Sequence, residues 1–291
     1  AGPRLRGRPG SGAMIELMAA PFVICVLLVA IHGYFGLHVI ARGVIFVDLA
    51  LAQMAALGAA AGLLLSIAPD STAAQLLAVA ATGVGAAIFA LTRTMRVARV
   101  PHEAIIGIVY VVASAAAMLI ADQAPRGAEH IKESLVGTIL WVTWPTILKD
   151  AVAYALIGVL LVTFRGRFEM ISFDPEGAAR RGLKVRAWDF VFYLLFGVTV
   201  TFSVPIAGVL LVFTFLVVPA VVAFLFFKPP ALPMPFVAWG VGVLACTAGL
   251  WLSYVTDLPT GPVIVCSFGA VLIVAALLRS ALSRRRPEEA A

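Results

Sequence analysis

Charge is scarce in this sequence. Asp, Glu, Lys and Arg make up only 12% of its 291 residues, against roughly 25% in an ordinary soluble domain. That deficit excludes a water-exposed globular enzyme of the usual kind. Cysteine is scarcer still: Cys25, Cys246 and Cys266 all fall within apolar runs and show no CxxC spacing. They read as small buried apolar residues, so neither a disulfide framework nor a thiolate metal site is expected. No Lys follows a Gly anywhere in the chain. The Walker A loop, whose backbone cradles phosphates beside a Gly-Lys pair, is therefore missing, and the chain cannot hydrolyse ATP by that route. His102-Glu103 opens like the zinc-protease HExxH pattern, but Ile106 stands where the second His must share the helix face. Residues 99–103 read instead as the start of a span, with Glu103 favoured by the helix N-terminus. No convincing internal repeat is present, which argues against a carrier built from inverted repeats.

What the chain has in abundance is apolar length. Hydrophobic residues make up 62% of it, and runs near the roughly 20 residues needed to cross a bilayer recur throughout. Nine are read, over 17–40, 44–67, 73–92, 104–121, 147–164, 188–203, 207–227, 236–253 and 262–279, making an all-α integral membrane bundle with no room for a separate globular domain. Residues 1–13, rich in Gly, Pro, Arg and Ser, read as an expression remnant or a misassigned start before Met14, leaving 14–291 as one membrane domain. Placing the C-terminus in the cytoplasm puts 15 of the 21 Lys and Arg residues on that side, as the positive-inside rule requires. The net charge of +6 is then a matter of topology, and no nucleic-acid partner is inferred from it. The partners expected around the spans are membrane lipids.

One stretch breaks the pattern. Ser172-Phe-Asp-Pro-Glu-Gly-Ala-Ala-Arg-Arg-Gly-Leu-Lys-Val-Arg186 is polar and basic between two apolar runs. Asp174 suits an N-cap, Pro175 the first helical position, Glu176 the positive helix end and Gly182 the stop. A self-capped helix at about 174–182, carrying Arg180 and Arg181, reads as a docking element for a cytoplasmic partner.

That segment, Phe173-Asp174-Pro175-Glu176 through Gly182, resembles the cytoplasmic coupling region of the ABC-3 family of metal-ion permeases. Ile206-Ala-Gly-Val-Leu-Leu-Val-Phe-Thr-Phe-Leu-Val-Val-Pro-Ala220 and Tyr254-Val-Thr-Asp-Leu-Pro-Thr-Gly-Pro262 are similar to two further stretches of the family, and Gly33-x-x-Gly36 through Arg42 to Gly58 to a third. The resemblance runs from about residue 33 to 280. It implies the membrane subunit of a bacterial ATP-binding-cassette importer for zinc, manganese or iron, resident in the inner membrane and not itself an enzyme. It further implies a homodimer, a separate cytoplasmic ATP-binding subunit docked through Asp174, Pro175, Glu176, Ala178, Arg181 and Gly182, and an extracytoplasmic metal-binding protein. The divalent metal ion is its substrate rather than a bound cofactor.

The second span departs from the family. Where family members carry an Asp and a His one helical turn apart, an ungapped alignment on Arg42 and Gly58 puts Leu49 and Gln53, with Asp48 one position early. In a regular helix Asp48 and Gln53 lie about 140° apart around the axis, and a π-bulge between them would bring Asp48 back into line. The bland alternative is an Asp48 solvated or paired with Arg42 at the span's end. His32, deep in the first span, adds an imidazole suited to such ions, against the plainer reading of a histidine hydrogen-bonded to its surroundings. Asp48, Gln53 and His32 are thus the candidate pathway residues. Glu129, His130, Glu133 and Asp257 form a weaker set on the outer side, where solvated loop charges are the simpler account. A stand-alone ion-coupled carrier using Asp48 and His32 as relays is the alternative reading.

Overall fold

The computed structural model of the chain describes residues 11–68, 71–93, 100–123 and 137–285. These residues form eleven α-helices and no strand. In chain order they are α1 (Ser11–Arg42), α2 (Val47–Leu64), α3 (Thr72–Arg93), α4 (His102–Asp122), α5 (Trp144–Thr163), α6 (Arg165–Phe173), α7 (Pro175–Arg180), α8 (Val185–Ala207), α9 (Val209–Phe226), α10 (Met234–Thr256) and α11 (Thr260–Arg285). Nine of the described helices, all but α6 and α7, are long and apolar enough to cross a membrane, in agreement with the count expected from the apolar runs. Their boundaries differ by a few residues, and the sixth runs over Val185–Ala207 rather than 188–203. The three residues added at its start move Asp189 from the edge of the span to the second turn of the helix, a shift with consequences for the site.

The helix α6 was not expected. Its residues follow an apolar run and are polar enough to read as loop, yet Phe168 and Ile171 are fully buried and an Arg165–Glu169 pair at 3.1 Å supports the exposed face. Burial of one apolar edge, rather than intrinsic propensity, explains such a short helix. The helix α7 begins where the sequence places it. The Asp174 side chain accepts the Gly177 N–H at 2.9 Å as N-cap, Pro175 opens the helix, and Gly182 takes a left-handed φ of +75° just beyond its end. Here the capping chemistry is local and was legible from the residues alone.

The spans pack in two groups. The helix α2 lies against α3, α4 and α8, while α1 packs on α9 and α10, and α10 on α11. Small residues set the close approaches. A Cβ at Gly58 would lie 2.4 Å from the Leu77 carbonyl oxygen and 2.8 Å from the Ala78 Cα, both backbone atoms of α3 that cannot swing aside. Gly83 is different: a Cβ there meets only the Leu194 Cδ1 at 3.7 Å, an ordinary contact. The turn between α8 and α9 is a single residue, Gly208, at φ +76° and ψ 156°, a conformation open essentially to glycine alone. Pro219 stands inside α9, which continues past it to Phe226.

These contacts make opposite demands on two glycines. Gly58→Val should lower the temperature at which half the detergent-purified protein loses its monodisperse form, by the equivalent of about 1–3 kcal/mol of overpacking. Gly83→Ala should leave it unchanged. Equal stability of the two variants would remove the close α2–α3 approach.

Candidate functional site

Two helices carry matching stripes. On α8, Asp189, Phe192, Tyr193 and Phe196 recur at i, i+3, i+4 and i+7; on α1, Phe35, His38, Val39 and Arg42 do the same. That spacing lines one face of each helix, and the side chains of all eight are buried, Arg42 being exposed only along its main chain. The two faces meet through their rings. Phe35 packs on Phe192 and Phe196 with centroids 5.4 and 4.9 Å apart, and the His38 ring lies between Tyr34, Phe173 and Phe192.

At the end of these stripes an ionic cluster closes the contact. The Arg42 Nη1 donates to Asp189 Oδ1 at 2.7 Å, and Arg93, from the last turn of α3, bonds the same oxygen. Further donors of both arginines reach α6. Arg42 Nε donates to Ser172 Oγ at 2.9 Å, and the Ser172 hydroxyl also bonds His38 Nδ1 at 2.9 Å. Arg93 Nη2 donates to the Ile171 carbonyl at 3.3 Å. One carboxylate therefore ties α1, α3 and α8 together, and its two arginines fasten α6, which leads through Asp174 directly into α7.

Two cations on one anion leave an excess positive charge in a largely dry place. The Asp189 and Arg42 side chains are wholly buried and Arg93 is 14% exposed. The Arg42 guanidinium lies 3.7 Å from the Phe192 ring centroid, where the ring's negative face offsets part of that excess. Buried ion pairs are costly to desolvate, and removing one partner is costlier because the other is left uncompensated.

Asp189 escapes a reading of the sequence alone because a sixth span drawn from 188 leaves it at the edge. The signal that finds it is an acid followed at helical spacing by three aromatics. Arg42 and Arg93 are visible as basic residues at span ends, but their shared partner is not.

The sequence-derived candidates are distributed rather than gathered. Asp48 sits in the first turn of α2, 1% exposed, with neither carboxylate oxygen hydrogen-bonded. The expectation that Asp48 is either solvated or paired with Arg42 is corrected on both counts, because Arg42 is committed to Asp189 and Ser172. The π-bulge that would align Asp48 with Gln53 is absent: α2 is regular α-helix from Val47 to Leu64. Gln53 is only partly buried and, in a regular helix, points away from the Asp48 face. That face continues one turn on to Leu51, which packs between Gly85 of α3 and Gly197 of α8.

His32 is fully buried on α1. Its Nδ1 bonds the Leu28 carbonyl of its own helix at 2.9 Å, leaving Nε2 without a partner. No group of three or more His, Cys, Asp or Glu able to hold a metal ion occurs among the described residues. Asp257 is exposed at the end of α10 with φ +57°, and Glu129, His130 and Glu133 lie outside the described residues. One acid went unremarked: Asp150 on α5, 2% exposed with Oδ2 unpartnered. It stands one turn from Tyr154, whose hydroxyl bonds Ser203 of α8 at 2.9 Å.

Around α7, Asp174, Pro175, Glu176, Arg180, Arg181 and Gly182 are exposed while Gly177 and Ala178 are buried. Ala178, grouped with the docking residues by resemblance, is thus an anchor of the helix in the bundle rather than part of its outward face.

The cluster makes a testable demand on stability. Arg42→Gln should lower the midpoint of heat-induced loss of monodisperse protein by the equivalent of about 3–5 kcal/mol. Arg93→Gln, at a partly exposed site, should cost clearly less. Equal, small effects would mean the cluster contributes no structural constraint.

Comparison with known proteins places this arrangement in context. In fold, the chain is similar to PsaBC from Streptococcus pneumoniae, solved in complex with a Fab, with a TM-score of 0.75 and 20% identity over 91% of this chain and 94% of that one. In sequence it is 26% identical to a probable metal transport system membrane protein of Chlamydia muridarum, over 64% of this chain and 63% of that protein. It is 30% identical to the chelated iron transport system membrane protein YfeD of Yersinia pestis, over 61% of this chain and 59% of that protein. The alignments thus span rather less than two thirds of these relatives. The family match is broader, covering residues 14–279: the chain is a multi-span membrane protein and belongs to the ABC 3 transport family.

Proposed function

We propose that this chain is the membrane permease subunit of an ATP-binding-cassette importer that moves a divalent metal cation, zinc, manganese or iron, across a bacterial inner membrane. The observation that carries the reading is α7. In a chain of the ABC 3 transport family, a short, self-capped helix stands between two spans with Glu176, Arg180 and Arg181 exposed and its base fastened to three spans. ATP hydrolysis belongs to a separate cytoplasmic subunit that docks on α7, and a metal-binding protein delivers the ion on the opposite side. Two copies of the chain form the central path. The ends bearing Arg42, Arg93, α7 and the C-terminus face the cytoplasm, as the distribution of Lys and Arg supports.

Support for a metal cargo comes from the names of the relatives, together with Asp48. An unpaired carboxylate held out of water in a membrane span is expensive and therefore a functional suspect. It offers a hard oxygen ligand of the kind divalent ions take. In this reading Asp48 stands on the path near its cytoplasmic end, with His32, whose Nε2 lone pair is free, as a further ligand higher in the bundle. Gln53 is a secondary lining group. Asp257, with Glu129, His130 and Glu133, receives the ion on the outer side.

Two experiments address this. The double variant Glu176→Lys with Arg181→Glu should remain folded in membranes yet lose co-purification with the ATP-binding subunit, because the charges displayed on α7 are reversed. Undiminished co-purification would refute docking through α7. In proteoliposomes holding the assembled complex, ATP-driven uptake should be found for one or more of zinc, manganese and iron. Asp48→Asn should cut it by about tenfold or more, the scale of losing a group that holds the ion. Uptake of none of the three would overturn the metal assignment, and wild-type rates for Asp48→Asn would take α2 out of the path.

A further inference from the structure

The ionic cluster lies outside the path residues and inside the route by which docking must act. A helix that receives a push from a partner can move a transport path only if it is mechanically tied to the spans. Yet α7 is six residues long and joins α8 through residues 181–184, which form no helix. On that side the Gly182 N–H donates to the Ala179 carbonyl at 3.0 Å and the Leu183 N–H to the Ala178 carbonyl at 3.1 Å, bonds that tie the connector to α7 itself rather than to a span. The stiff connection is through α6. The Asp174 N–H donates to the Met170 carbonyl at 2.8 Å and the Asp174 side chain caps α7, so α6 and α7 share a residue as their common end. The other face of α6 presents Ser172 and the Ile171 carbonyl to Arg42 and Arg93.

We propose that Asp189 is the positioning residue for energy coupling: by holding Arg42 of α1 and Arg93 of α3 on one carboxylate oxygen, it makes α6–α7 and the adjoining ends of α1, α3 and α8 move as one body. This rests on the permease reading above. Three features support it. Each arginine is divided between Asp189 and α6, so neither can release α6 without disturbing the carboxylate. Ser172 receives Arg42 and His38 on one hydroxyl, linking α6 to α1 twice. The aromatic faces of Phe35, His38, Phe192 and Phe196 then extend the contact away from α7 along α1 and α8. None of these groups is among the outward-facing residues of α7, so a partner docking there does not touch them.

The test uses the complete complex of permease, ATP-binding subunit and metal-binding protein in nanodiscs. It measures ATP turnover with and without the metal-loaded binding protein, and metal uptake in matching proteoliposomes. Asp189→Asn should co-purify with the ATP-binding subunit and keep its unstimulated turnover. Stimulation by the loaded binding protein should fall about tenfold, within the range of ordinary coupling between sites, with uptake falling in step. Asp189→Glu should restore part of both.

Ser172→Ala removes the hydroxyl and no charge, and keeps the proposal open to test if Asp189→Asn fails to assemble. It should reduce stimulation by a few-fold with docking intact, a smaller coupling loss of the same kind. Full stimulation in either assembled variant overturns the proposal. So does a loss of uptake that merely tracks a loss of bound ATP-binding subunit, since that is the signature of a structural role. Failure of the permease reading looks different, because the wild-type chain would then co-purify with no ATP-binding subunit.

Discussion

The carboxylate of Asp189, shared between two arginines, is the constraint on which the rest of this bundle depends. In a nonpolar setting a lone acid or a lone guanidinium is hard to accommodate, and each of these groups is acceptable only because the others are there. That mutual requirement selects the register of three spans at once. Arg42 must end α1, Arg93 must end α3, and Asp189 must sit in the first turns of α8, or a charge is left uncompensated. The aromatic rows that rise from the cluster follow from that register, since Phe35 stands two turns from Arg42 on α1, and Phe192 and Phe196 stand one and two turns from Asp189 on α8. The cation–ring contact of Arg42 with Phe192 joins the two kinds of packing.

The same cluster explains why so short a helix as α7 can be displayed in a fixed place. Intrinsic propensity cannot hold six residues in a helix. The Asp174 cap supplies the first turn, burial of Gly177 and Ala178 supplies one face, and α6 supplies the base. The outward face displays Glu176, Arg180 and Arg181. In the proposed importer this division is functional: the exposed residues meet the ATP-binding subunit, and the buried ones hand its movement to the spans. At the far end of α8 the chain reverses through Gly208 alone, so α8 and α9 are joined by a tight, sterically specified turn rather than a flexible loop.

Much of this fold could be read from the residues. Apolar run length gave the nine spans, and the Asp-Pro-Glu…Gly pattern gave α7, because both signals are local. What the sequence hid were relations between distant segments: that Arg42 finds Asp189 rather than Asp48, that Arg93 joins it, and that α6 is a helix because two of its residues are buried. Only a bulge in α2 could have placed Asp48 and Gln53 on one face. The regular helix instead turns Asp48 toward the side of α3 and α8, and leaves Gln53 elsewhere. A buried carboxylate without a partner is therefore the one feature of the second span that still points to a cation.

The account turns on whether α6 and the inner end of α3 move together. Spin labels at Gly166 on α6 and Leu91 on α3, in the otherwise unchanged complex, report that separation directly by pulsed electron resonance. The distance distribution should be the same with and without bound ATP under conditions where transport proceeds. A nucleotide-dependent shift beyond about 2 Å, the size of an ordinary helix displacement, would show that the docking segment moves independently of the span and would contradict the coupling role of Asp189.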